Sequence, residues 1–164
     1  MKKVYSLLVG NSAGVLSRVA GLFSRRGYNI ASLTVGETMD PAWSRMTVVA
    51  EGDQQILEQI GKQLEKLVDV VDIKILEADT SVSRELILVK VRVADEQRQS
   101  VITMANVFRG KIVDVGTESL IIELTGQQNK LDAFLRLLQD YEVLELARTG
   151  ITGLSRGSDD VRYL

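Results

Sequence analysis

Over residues 4–75 the spacing of apolar residues switches repeatedly between the two-residue alternation of a strand and the three-to-four-residue recurrence of a helix. The order that results is strand, helix, strand, strand, helix, strand. Residues 4–9 (VYSLLV) form a short apolar run that stops at Gly10, and from Ala13 onward Val15, Leu16, Val19, Leu22 and Phe23 recur at helical spacing as far as Gly27. Residues 28–37 (YNIASLTVGE) read as a strand in which Tyr28 and Ile30 share one phase while Leu33 and Val35 share the other. That phase change predicts a bulge or bend near Ala31 and Ser32. Asp40 and Pro41 supply turn chemistry, after which Met46, Val48 and Ala50 alternate with Arg45 and Thr47. Asp53 is positioned to cap a second helix with the stripe Ile56, Ile60, Leu64 and Leu67, and Val71, Ile73 and Ile75 alternate with Asp72 and Lys74 in a fourth strand.

The same order returns after the polar stretch EADTSVSR (77–84). Val89, Val91 and Val93 alternate against Lys90 and Arg92; Val101, Met104, Ala105 and Phe108 mark a helix; residues 111–116 and 119–125 make a hairpin. Leu131, Phe134, Leu135 and Leu138 mark another helix, and residues 142–149 close the set. FSRRG (23–27) and FRG (108–110) echo each other at the end of the first helix of each repeat. The expected fold class is α+β, with two tandem ferredoxin-like βαββαβ units, each an antiparallel sheet with both helices on one face. The expected boundaries are 1–78 for the first domain, 79–83 for a linker, 84–153 for the second domain and 154–164 for a polar tail.

Composition removes several kinds of chemistry. The chain has neither cysteine nor histidine, so disulfides, thiolate or imidazole metal sites, cysteine nucleophiles and the usual neutral-pH general base are absent. Lysines and arginines number 20 against 22 acids, and their dispersal gives no electrostatic footprint for nucleic acid or anionic membrane. Ser6, Asn11 and Ser12 interrupt the apolar stretch after the two N-terminal lysines, so it reads as a strand and the expected location is the cytoplasm, with no membrane span. Asp72, Lys74, Lys90 and Glu123 occupy outward positions of alternating strands and read as a solvated face, not as an active site.

The segment Gly10–Val15 (GNSAGV) joins an apolar strand to a helix start, where first-turn amides lack intrahelical partners and glycine admits a ligand to the backbone. It is no P-loop, because Val15 follows Gly14 where a lysine is needed, and it does not fit the dinucleotide fingerprint. A small carboxylate is the more economical guest. Asn11 offers a carbonyl to an ammonium and an amide to a carboxylate, and Asn29 is a second polar residue in a mostly apolar strand. The same residues also have a plain structural reading, in which Asn11 or Ser12 caps the helix, Gly14 permits close packing and Asn29 is a turn residue. The corresponding loop of the second repeat, VADEQRQS (93–100), is acidic and lacks glycine, so a sensor site is expected only in the first.

The strings GVLSRVAGLFSRRGYNIASLTV (14–35), DPAWSRMTVV (40–49), QLEKLVDVV (63–71), RELILVKV (84–91), FRGKIVDV (108–115), ELTGQQNKLDAFL (123–135) and ARTGITGLSRG (147–157) closely resemble the small regulatory subunit of acetolactate synthase, also called acetohydroxyacid synthase. The resemblance implies an N-terminal ACT domain followed by a second ferredoxin-like domain, with no catalytic centre and no cofactor in this chain. It implies a partner, the large catalytic subunit carrying thiamine diphosphate, Mg and FAD, which joins two pyruvates to acetolactate or pyruvate to 2-oxobutyrate. It also implies a homodimer through ACT domains and feedback inhibition by valine in branched-chain amino-acid synthesis. The family's effector loop falls on Asn11, Ala13, Gly14 and Val15, with Asn29 and Ile30 contributed across the dimer interface and Ser17 nearby; a branched side chain would face Leu16, Ile30 or Leu33. Gly10 and Trp43 depart from the usual pattern. The alternative functions are a free-standing amino-acid sensor and, more remotely, a small enzyme using acids and lysines.

Overall fold

In the computed structural model, which describes residues 1–158, β1 (Lys2–Gly10) leads through a short loop into α1 (Val15–Arg26), and β2 (Asn29–Glu37) turns back as β3 (Trp43–Glu51). Helix α2 (Gln54–Glu65) and β4 (Val70–Ile75) complete a four-stranded antiparallel sheet of order β2-β3-β1-β4. Its core joins Tyr5, Leu7 and Val9 of β1 and Met46, Val48 and Ala50 of β3 to Val19, Leu22 and Phe23 of α1 and Leu57, Ile60 and Leu64 of α2. Both helices therefore cover one face, because alternate strand residues present one row of side chains to the two apolar helix stripes.

Local chemistry accounts for the boundaries. Asp53 accepts the Ile56 amide at 2.8 Å and so starts α2 where its cap was expected. The β2–β3 register slips between Ile30 and Ser32, leaving Ala31 as the extra residue that the phase change predicts. Two details differ from the periodicity. Leu67 lies beyond the end of α2 and packs on the core from the following turn, while Leu57 joins Ile60 and Leu64 as a fully buried residue of the helix. A second register slip, opposite Leu8 and Val9, makes Val71 the extra residue, so Val70 and Ile73 pack inward whereas Val71 is exposed; Ile75 keeps the phase of Ile73, opposite Tyr5, and is exposed only at the strand end.

The other face of this sheet is also covered. Ser6 and Leu8 of β1 and Thr47 and Val49 of β3 are buried, which is why VYSLLV is a continuous run and not an alternating one. The segment from Ile151 returns to this unit: Thr34 donates to the Ile151 carbonyl at 3.3 Å, and the Arg156 amide donates to Thr80 at 2.8 Å.

The second unit, Arg84–Gly150, holds most of β5 (Ser81–Arg92), then α3 (Asp95–Val107), β6 (Lys111–Val115), β7 (Ser119–Gly126), α4 (Gln128–Leu137), one 3-10 turn and β8 (Glu142–Arg148), in the order β6-β7-β5-β8. Ile87, Val89, Val91, Leu120, Ile122, Val101, Leu131 and Phe134 are among its core residues. The topology of the first unit is thus repeated.

The expected domain limits need adjustment. Ser81–Ser83, placed in a linker, already form the start of β5, and β9 (Thr152–Ser155), placed at the end of the second domain and in the tail, pairs with β5 and groups with the first unit. Gly153 makes this approach possible, since a Cβ there would stand 3.0 Å from both the Val82 carbonyl oxygen and Leu76. The rest of the expected tail, from residue 159, lies outside the described residues. Among the described residues no helix is long and apolar enough to cross a membrane.

Candidate functional site

Asn11 follows the last residue of β1, where Gly10 pairs with Trp43, so the loop stands beside the turn between β2 and β3. Gly10 and Trp43 are therefore direct cross-strand neighbours. Asn11 is bound to that turn three times: its backbone amide donates to Ala42 at 2.8 Å, and its Nδ2 donates to the Pro41 carbonyl at 2.9 Å and to Glu37 Oε2 at 3.3 Å. With the side-chain N–H groups so engaged, the Oδ1 carbonyl is what Asn11 has left to offer a guest.

Gly14 is the N-cap of α1 at φ 89°, a left-handed conformation in which glycine alone is unstrained. It supplies no side-chain cap, and neither Asn11 nor Ser12 does so in its place. The Val15 amide makes only a 3.4 Å contact with Ser12, so the positive end of the helix dipole is open to an anion. Val15 itself is buried in the core, so it presents a backbone amide and no side chain, whereas Ala13, Leu16 and Ser17 are exposed.

What Gly14 does approach closely is Arg18, whose Nη1 lies 2.9 Å from where a Cβ would stand. Arg18 is held by Asp69 through bonds of 2.6 and 3.0 Å. That pairing raises the guanidinium above its ordinary pKa and lowers the Asp69 carboxyl below its own, in each case chiefly through the shared hydrogen bonds. A substitution at Gly14 would both strain the backbone and disturb Arg18, so it is a poor probe of ligand contact.

Asn29 lies elsewhere. It opens β2 opposite Glu51, to whose carboxylate it donates at 2.7 Å, while Asn11 adjoins Trp43 at the other end of β3. The eight steps of strand from Trp43 to Glu51 span about 26 Å. Ile30 and Leu33 are half-buried against the first core. One chain thus gathers Asn11, Ala13, Gly14, Val15, Leu16 and Ser17 but keeps Asn29 and Ile30 away from them. Glu37, missed in the sequence, joins the loop because β2 ends beside it; a carboxylate immediately before a Thr-x-Asp-Pro turn was the available signal.

The second unit's corresponding loop is closed to anions. Gln97 reaches back to accept the Ala94 amide at 2.9 Å, and Asp95 and Glu96 place negative charge in the first turn of α3. Lys90 pairs with Glu145 at 2.9 Å, an ion-pair role in place of a catalytic one. No group of three or more acids that could hold a metal is present among the described residues.

Known proteins match this architecture over both units. The family model described as "AHAS small subunit-like ACT domain" covers residues 5–72, and that described as "Small subunit of acetolactate synthase" covers residues 84–157. The probable acetolactate synthase small subunit of Methanothermobacter thermautotrophicus is 52% identical over 156 residues, 94% of this chain and 93% of that protein. The acetolactate synthase isozyme 3 small subunit of Escherichia coli is 47% identical over 99% of this chain and 100% of its own length. A crystal structure of the small subunit from Thermotoga maritima superposes with a TM-score of 0.88 at 44% identity, covering 96% of this chain and 99% of that one.

Proposed function

The chain belongs to the acetolactate synthase small-subunit family, whose members are regulatory and not catalytic, and we propose on that premise that its first unit binds valine and passes the signal to the catalytic subunit. Added to that thiamine-diphosphate-, Mg- and FAD-dependent partner, the chain raises the rate of acetolactate formation from two pyruvates, and valine reverses the gain. The observation that carries this reading is the half-site at Asn11–Val15, an uncapped helix start beside a free amide carbonyl at the rim of an unpaired edge strand.

Strand β2 is that edge, and an antiparallel two-fold pairing of β2 with β2 of a second copy supplies the other half. With Leu33 at the axis, Asn29 of one copy falls opposite Glu37 of the other, and Glu37 is in contact with Asn11. Asn29 and Ile30 thereby reach the Asn11 loop of the neighbouring copy, which they cannot do within one chain. The carboxylate of valine then meets the first-turn amides of α1, where the helix end contributes about 0.3 to 1 kcal/mol. Its ammonium meets Asn11 Oδ1, and its isopropyl group faces Leu16 and, across the pairing, Ile30. Because one methylene is worth only about 1 to 3 kcal/mol, isoleucine and leucine bind more weakly instead of being excluded.

Valine inhibits only by favouring a less active arrangement of the complex, with a coupling of about 1 to 3 kcal/mol between the two sites. A site spanning two copies provides the means, since its affinity depends on their spacing. The test is an acetolactate assay of the reconstituted complex. Asn11→Ala should keep full activation and lose valine inhibition, because Asn11 is exposed and outside the core. Loss of activation with valine sensitivity intact in the residual activity would overturn the assignment.

A further inference from the structure

We propose that Glu37 supplies the anionic contact for the effector's ammonium group, so that the site selects an α-amino acid over the 2-oxo acid of the same carbon skeleton; this rests on the effector reading above. Glu37 Oε2 lies 3.3 Å from Asn11 Nδ2, and Glu37 forms no ion pair among the described residues. The nearby charges are otherwise committed. Arg18 is bound to Asp69, and Asp40 turns its carboxylate into the hairpin, accepting the Ala42 amide at 3.0 Å.

The geometry orders the ligand by charge. A carboxylate at the first-turn amides puts the α-substituent toward Asn11; with the Asn29 amide held by Glu51, the available groups there are the Asn11 Oδ1 carbonyl and the Glu37 carboxylate. Both are acceptors. An ammonium satisfies both, and its bond to Glu37 is charge-assisted and roughly twice as strong as a neutral one. A 2-oxo acid presents a carbonyl oxygen in the same place, so acceptor faces acceptor and no hydrogen bond forms. The two ligands differ by one amino-group transfer. A site that reads the ammonium therefore responds to the finished amino acid and ignores the oxo acid from which such a transfer would make it.

Calorimetry on the full chain tests this with valine and 3-methyl-2-oxobutanoate against wild type, Glu37→Gln, Glu37→Asp and Asn11→Ala. Wild type should bind valine at least about tenfold more tightly than the oxo acid; Glu37→Gln should weaken valine by about tenfold and leave the oxo acid unchanged or tighter. Glu37→Asp should restore part of the preference, and the Glu37→Gln effect should shrink as ionic strength rises. Unchanged valine affinity in Glu37→Gln, or equal weakening of both ligands, would overturn the role of Glu37. If wild type binds valine and Asn11→Ala abolishes it while Glu37→Gln is neutral, only this inference falls; if wild type binds no valine, the effector reading falls with it.

Discussion

Arg148 and Glu85 share two hydrogen bonds, of 2.8 and 3.1 Å, that join β8 to β5 with the Glu85 side chain only 3% exposed. Arg148 also reaches Asp132 of α4 at 3.2 Å, so one guanidinium ties two strands and a helix together. Removing one partner of a buried pair leaves the other charge without compensation, which costs more than the intact pair contributes. Arg148→Met should destabilise the second unit by about 3 kcal/mol in denaturant titrations, and adding Glu85→Met should recover most of the loss. Additive losses in the double variant would show that the two residues act independently.

Tyr5 makes the equivalent buried polar contact in the first unit, donating its hydroxyl to the Leu57 carbonyl of α2. Burial pushes its pKa from 10.0 up to about 12. A raised folded-state value means that the neutral phenol is the form the fold favours. Its contribution is complete below pH 10 and is lost as pH rises through about 12. Near-ultraviolet titration should show a late tyrosinate step near pH 12 that Tyr5→Phe removes. The same variant should cost about 1 kcal/mol at neutral pH, the net worth of one hydrogen bond.

The order of elements and even the bulge at Ala31 were legible because apolar phase reports which face a residue uses. The bulge at Val71 was not, since Val70 and Val71 are chemically interchangeable and only pairing with β1 decides which turns inward. Nor was β9, whose four residues TGLS carry neither alternation nor bulk; its place depends on Gly153 fitting against Val82 and Leu76. At the site, the loop Asn11–Val15 was marked by its glycine and its position before a helix. The engagement of the Asn11 amide with Pro41 and Glu37 was hidden, because it arises only when the β2–β3 turn folds back beside β1.

The return of residues 151–156 to the first unit makes a truncation informative. A chain ending at Gly150 would lose the Thr34 bond to Ile151 and the Arg156 bond to Thr80, at about 1 kcal/mol each, and with them the packing of β9 beside β3. Its first unit should unfold at lower denaturant, by about 2 kcal/mol or more, while the second unit, which keeps every core residue, should be unaffected. Equal stability in the truncated chain would show that this segment rests on the sheet without supporting it.

The separation of Asn11 from Asn29 along one sheet gives the sharpest test of a shared site. In the proposed two-fold dimer each effector site would take Asn11 from one copy and Asn29 from the other, so Asn11→Ala and Asn29→Ala homodimers would each carry one defect in every site and should both bind valine poorly. Mixing them changes the arithmetic. In a hybrid dimer both defects collect in one site, and the other is assembled from an unaltered Asn11 and an unaltered Asn29. Random exchange of equal amounts makes about half the dimers hybrids, so about a quarter of all sites should regain wild-type affinity in calorimetry after co-refolding. A site built within one chain would gain nothing from mixing, because every copy would still carry its own defect. Recovery of high-affinity sites, absent from either variant alone, therefore separates a site shared between copies from a site within one, and a mixture no better than its components would rule out the β2-edge pairing.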